Sequence, residues 1–236
     1  MRALRGAAAL LAGMSVVLAG CTSSSTQERA PSETRTSSSG PVEPRDLMRL
    51  AEVVDDFPPG YQPRPPAGVG SLDAKQAMDV GDFVSYGESL AVDPQSCLPL
   101  LKPVTARAGT HWVTVSSATG PRDPFIALSV YEPVEVSAAI PAEGCDRFDF
   151  EVEGAMPDGT AERLAAPAVD GATTYAVKVT SPQNGTAAVE LPLVEYFYTA
   201  ILDDRTYLNL WARVPSEFAA EPALPELLRK GVAALD

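Results

Sequence analysis

Histidine occurs once in this 236-residue chain, cysteine three times, and lysine only at Lys75, Lys102, Lys178 and Lys230. A zinc site needs about four clustered Cys or His ligands, so three cysteines without short spacing and one imidazole do not suggest a metal centre. A Ser-His-Asp triad would have to use His111. That residue lies beside Trp112 at the start of an expected strand, where a packed or rim role is the simpler reading. Gly-x-Ser-x-Gly, the Walker loop, Gly-x-Gly-x-x-Gly and His-Glu-x-x-His are all absent. Positive charge is scarce as well: 18 Lys and Arg stand against 31 Asp and Glu, a formal −13. Such a surface repels phosphate backbones and anionic headgroups, which argues against nucleic acid as a partner. These absences point to a non-catalytic protein without cofactors.

One long apolar run is present, from about Ala7 to Gly20, preceded by Arg2 and Arg5. About 14 residues fall short of the roughly 20 needed to span the hydrocarbon core. The order of basic, apolar and small residues is that of a secretory signal peptide over 1–20. Leu18-Ala19-Gly20-Cys21 resembles the lipobox of bacterial lipoproteins. That resemblance implies removal of residues 1–20 and acylation of Cys21 with palmitate-type chains. The protein would then be held on the outer side of the cell membrane. The mature chain would retain 16 basic and 31 acidic side chains. Residues 21–45 are rich in Ser, Thr and Pro and poor in large apolar side chains, the composition of a disordered tether. A single extracytoplasmic domain is expected over 46–236.

With Cys21 assigned to the anchor, Cys97 and Cys145 remain as an even pair in an oxidising compartment, and a disulfide is expected. Leu47, Leu50, Val53 and Val54 recur at helical spacing over 46–55. Asp73 and Gln76 form a capping-box pattern for a helix over 74–82. A short helix carrying Cys97 follows Asp93-Pro94. From His111 the period changes to that of strands, expected at 110–118, 125–131, 147–153, 173–180, 191–202 and 206–214. Leu224, Leu227 and Leu228 place one face of a final helix. The reading is an α+β domain: an antiparallel sheet of about six strands, helices packed on one face, one disulfide.

Asp56-Phe57-Pro58-Pro59-Gly60-Tyr61, Cys97 ahead of Leu100-Leu101-Lys102-Pro103, and Gly144-Cys145 add to the lipobox and tether. Together they resemble an uncharacterised actinobacterial, mycobacterial-type lipoprotein domain family. The pattern is more distantly similar to the extracellular sensor domain of a mycobacterial serine/threonine kinase. That ectodomain uses two disulfides, where this chain has cysteines for one. The resemblance implies sensing.

The densest aromatic content lies in Tyr196-Phe197-Tyr198 and Tyr207-Leu208-Asn209-Leu210-Trp211. A two-residue turn at Asp203-Asp204 would set Leu202 opposite Arg205 and gather Tyr196, Tyr198, Asn209 and Trp211 on one face. Such a face suits a protein partner or a small amphipathic ligand, because Tyr and Trp join apolar area to a polar tip. Packing under helices is the alternative for the same residues. The acids Asp149, Glu151 and Glu153 share a strand face and read as solvated. The functional expectation is a membrane-anchored sensor-like or partner-binding domain. The alternative is a carrier for a lipid, a cell-wall fragment or another small molecule, which would need an apolar cavity of a few hundred Å3.

Overall fold

The computed structural model describes residues 44–117, 124–137, 143–153, 158–181 and 193–236. The expected signal peptide, Cys21 and all of the expected tether but Pro44 and Arg45 lie outside these residues. One compact unit runs from Pro44 to Asp236.

Its frame is a nine-stranded antiparallel sheet. The strands are β1 (Gly70–Ser71), β2 (Leu90–Asp93), β4 (His111–Ser116), β5 (Phe125–Glu132), β7 (Arg147–Val152), β8 (Gly159–Leu164), β9 (Ala172–Ser181), β10 (Leu193–Leu202) and β11 (Thr206–Arg213). They are ordered β1-β4-β5-β11-β10-β9-β8-β7-β2. A separate pair joins β3 (Val104–Thr105) to β6 (Glu135–Val136). All six expected strands are present. The expectation of about six is corrected to nine, because β1, β2 and β8 have two, four and six residues and carry little or interrupted alternation.

Helical elements and a core cluster lie against both faces of the sheet, which corrects the expectation of helices on one. The front face takes a 3₁₀ helix over Leu47–Asp56 and the long helix α3 (Ala220–Leu235). Leu47, Leu50 and Val53 are its buried residues and recur every three positions. A helix of three residues per turn aligns such a set in one stripe. Asp46 caps its start by accepting the Met48 N–H. Leu224, Leu227, Leu228 and Val232 of α3 meet Leu128, Leu208 and Leu210 of the sheet. Gly231 permits this approach, since a Cβ there would lie 2.7 Å from a methyl of Leu128.

The rear face is covered by α1 (Ala74–Asp79), the loop after it, a 3₁₀ turn over Gln95–Cys97 and α2 (Leu98–Leu101). The Asp73–Gln76 capping box forms as expected, with each side chain accepting the other residue's backbone N–H. These pieces are too short to hold themselves in helical form. Their anchor is the disulfide between Cys97 and Cys145, whose Cα atoms lie 5.6 Å apart. Both cysteines are fully buried among Leu100, Leu101, Phe148 and Phe150.

Closing a loop across 48 positions removes entropy from the unfolded chain. The Cys97→Ser/Cys145→Ser double variant is therefore expected to lose about 2–5 kcal/mol in urea unfolding. Reductant should lower the wild-type midpoint and leave the variant unchanged.

Candidate functional site

The hairpin of β10 and β11 decides which side chains the rear face presents. Asp203 and Asp204 both adopt left-handed conformations, with φ of 48° and 58°. The Arg205 N–H then closes the turn onto the Leu202 carbonyl at 3.2 Å. Arg205 does not enter the ladder. Its carbonyl accepts the Val134 N–H at 2.9 Å, and its guanidinium sits 3.1 Å from the buried Glu132 carboxylate. Leu202 consequently pairs with Thr206, not with Arg205.

This one-residue offset overturns the expected grouping of Tyr196, Tyr198, Asn209 and Trp211, because it exchanges the faces of one strand relative to the other. Tyr198 is fully buried in the front core and Tyr196 packs against that core. Asn209 and Trp211 point to the rear, where they join Phe197, Thr199 and Tyr207.

Neighbouring strands extend that rear face. Asn209 is paired with Ser129, and Ser129 with Thr114. Tyr207 pairs with Tyr131, and Tyr131 with Trp112. Trp211 pairs with Ala127, and Ala127 with Ser116. The result is a strip over β4, β5 and β11 in which Trp112, Tyr131, Trp211, Thr114, Ser129 and Asn209 are all half-buried. Gly70 makes room for Trp112: a Cβ there would lie 2.4 Å from the indole Nε1. Thr114 and Ser129 share a hydroxyl hydrogen bond of 2.7 Å. The Asn209 carbonyl oxygen is buried without a hydrogen-bond partner among the described residues.

An aromatic stack leads from the covered part of the rear face into this strip. Phe83 lies flat on Phe197 at 4.3 Å, Phe197 stacks on Trp211 at 6.0 Å, and Phe125 meets Trp211 edge-on at 4.7 Å. Trp211 Nε1 donates to Glu195 at 2.8 Å. Glu195 also pairs with Arg213 at 3.1 Å, and that guanidinium lies over the rings of Phe125 and Trp211. Behind the strip, burial raises the phenols of Tyr175 and Tyr207, with Thr199 beside both hydroxyls opposing the rise. These phenols stay protonated at neutral pH.

The loop holding Phe83 is built around Asp82, which is 8% exposed. Its carboxylate accepts N–H groups from Ser85 at 2.8 Å and Gly87 at 3.1 Å, accepts the Ser85 hydroxyl, and pairs with Lys102 at 2.9 Å. Burial pushes this carboxyl up, and the bonds from Ser85, Lys102 and Gly87 outweigh it, so the net shift is downward. The loop projects Tyr86, 43% exposed, and its Gly87 lies against Met78, 62% exposed.

His111 stands elsewhere, on the front side. It is exposed, lies opposite Ser71 and Glu132, and its imidazole makes no hydrogen bond among the described residues. With Pro44, Arg45, Glu132, Arg205 and Val69 it lines a cleft of about 290 Å3. Arg45 and Arg205 are engaged there by Asp203 and Glu132. No grouping of three or more His, Cys, Asp or Glu suited to a metal occurs among the described residues. Nor is any of their helices long and apolar enough to cross a membrane. Asp149, Glu151 and Glu153 are exposed, as expected of a solvated face.

The family described as Domain of unknown function (DUF5642) matches residues 46–224. The chain belongs to this family. Among solved structures, it resembles an uncharacterised Mycobacterium smegmatis protein described as an Rv0999 ortholog. The TM-score is 0.54 at 20% identity, covering 81% of this chain and 97% of that one. The likeness shows the fold, shared with an uncharacterised mycobacterial protein. No curated protein matches the chain.

The family label carries no chemistry, so the strip is read from its residues. Its members on β4 and β5, Trp112 and Tyr131 above all, were missed from sequence because β11 inserts between β5 and β10. Alternation along 111–116 is the signal that marks Trp112 and Thr114 as sharing a face.

Asp82 gives a pH prediction with a defined sign. A carboxyl held below its unfolded value of about 4 stabilises fully above that value and loses its contribution as pH falls through the folded value. Asp82→Asn should cost about 1–3 kcal/mol at pH 7. Its thermal midpoint should also fall less steeply than that of wild type below about pH 4, as checked by calorimetry from pH 7 to 2.

Proposed function

We infer that this protein is an exported, lipid-anchored domain that binds a ligand or partner without transforming it, and that the rear strip is its binding face. The observation carrying this reading is that both tryptophans of the chain, Trp112 and Trp211, sit half-buried on one face among uncharged polar side chains. Buried sheet faces carry apolar side chains, so a run of Thr114, Ser129 and Asn209 between aromatic rings is unusual for a core. It suits a surface that meets something amphipathic.

The signal-peptide pattern and Leu18-Ala19-Gly20-Cys21 support export and acylation at Cys21. A buried disulfide in the folded domain fits an oxidising compartment. The similarity of the cysteine and Phe-Pro-Pro-Gly pattern to a mycobacterial kinase sensor domain supports sensing as the use of such binding. The carrier alternative has for support the 290 Å3 cleft, where Pro44, Leu47, Val69 and Pro133 stand beside the ion-paired Arg45, Glu132 and Arg205.

Two measurements test the reading. Mass spectrometry of protein extracted from its native envelope is expected to find an N-terminal peptide beginning at a diacylated Cys21. A peptide retaining Met1 would overturn the anchor. Hydroxyl-radical footprinting of intact cells should show Trp112 and Trp211 less oxidised than in the purified protein. Equal oxidation in both would remove the strip as an occupied face.

A further inference from the structure

We propose, resting on the reading of the rear strip as the binding face, that its ligand is an uncharged saccharide chain and that Tyr86 closes one end of the site.

Charge narrows the ligand class first. The chain carries a formal −13, yet the rear-facing side chains of β4, β5 and β11 include one ionic group, Arg213, which Glu195 of β10 neutralises at 3.1 Å. Arg64 stands at the outer margin, bridged through its backbone to Ser116. A charged ligand would find no unpaired counter-ion between Trp112 and Trp211. An uncharged ligand loses nothing to the acidic remainder of the molecule.

The indoles then separate a saccharide from a proline-rich peptide. Peptides of that kind are held on aromatic grooves whose rings pack against the proline faces, and side-chain donors such as a tryptophan N–H commonly meet their carbonyls. Here the Trp211 N–H is taken by Glu195 at 2.8 Å, and the nitrogen edge of Trp112 lies over Gly70. What remains on offer is the half-buried ring surface of Trp112, Tyr131 and Trp211, flanked by the hydroxyls of Thr114 and Ser129. Adjacent strands stand about 4.8 Å apart, so these groups are spaced on the scale of a sugar ring. A sugar supplies C–H faces for the rings and hydroxyl partners for Thr114 and Ser129.

Tyr86 gives the strip an end. Its φ of 50° is left-handed, a conformation that non-glycine residues adopt rarely and that surrounding structure must enforce. The enforcing group is the Asp82 carboxylate, through Ser85 and Gly87. The same loop seats Phe83 on Phe197, the ring next to Trp211. The loop thus holds a partly exposed phenol ring within reach of the charges of Glu195 and Arg213, the pair that flanks Trp211.

Trp112 and Trp211 are the only tryptophans, so intrinsic fluorescence reports on this face alone. The experiment screens the purified domain on an array of neutral hexose and pentose polymers, uronic-acid polymers and proline-rich peptides, then titrates soluble hits by fluorescence. The expected result is saturable binding to a neutral saccharide, weakened by about tenfold in Tyr86→Ala and retained in Tyr86→Phe. Should Tyr86→Ala fail to fold, Ser129→Ala serves in its place, with the same loss expected. Binding confined to uronic-acid polymers or to peptides would overturn the saccharide and leave the face standing. Silence across the whole array would sink both. Full affinity in Tyr86→Ala would remove its role at the end of the site.

Discussion

The position of Arg205 governs the rest of the molecule. One residue left out of the ladder determines that Leu202 faces Thr206, and with it the side of the sheet on which every β11 side chain emerges. Two contacts hold that residue out: its carbonyl to the Val134 N–H, and its guanidinium to Glu132. Both partners belong to the end of β5 and the residues after it, so the turn is set by a strand about 70 positions away in sequence. Leu208 and Leu210 then meet α3 in the front core, while Asn209 and Trp211 join the rear strip. The opposite register would turn Leu208 and Leu210 toward the rear and direct Asn209 and Trp211 beneath α3. The buried ion pair at Glu132 therefore acts through topology more than through its own net energy, which for buried pairs is close to balanced.

That dependence explains what could be read in advance. β4, β5, β7, β9, β10 and β11 were legible because a sustained strand pattern outweighs local noise, whereas β8, as long as β4 and β7, lacks regular alternation. The final helix was legible from Leu224, Leu227 and Leu228, and the disulfide from compartment and parity. The helix at Leu47–Asp56 was legible as a helix, and its period of three became visible only once Leu47, Leu50 and Val53 proved to be the buried set. The grouping of Tyr196, Tyr198, Asn209 and Trp211 failed because turn length was inferred from Asp203 and Asp204 alone. Those two residues do form the turn; the contacts that expel Arg205 come from outside the hairpin. Local chemistry specified the bend, and a distant strand specified the register.

A similar division runs through the rear layer. The helices there have six and four residues, well below the length at which a helix sustains itself in water. Cross-links replace length. The disulfide fixes the Cys97 turn to the start of β7, and the Phe83 N–H donates to the Leu101 carbonyl at 3.1 Å. Lys102 then reaches back to Asp82. Tyr86 is thereby tied through one continuous set of bonds to the covalent bridge. The layer covers Phe148, Phe150, Val177 and Phe197 completely and stops short of β4 and β5, which is why the face is closed at one end and half-open at the other.

Charge follows the same geometry. On the front face, beyond the reach of α3, Asp93 stands directly opposite Asp149, and Ala91 opposite Glu151, on the strands that end the sheet. Like charges opposed across a ladder weaken the pairing, so their presence on an edge needs a reason. An edge strand with free backbone groups is a template for unwanted pairing, and flanking acids repel a second copy of an already acidic chain. At the other end β1 has two residues and carries Gly70 under the Trp112 indole, leaving little edge to extend. The acids gather where the sheet must be kept from other sheets. Between Trp112 and Trp211 they are absent, and an uncharged strip persists on a strongly acidic protein. The acidic edge and the uncharged strip occupy different strands, so a change in one leaves the other in place.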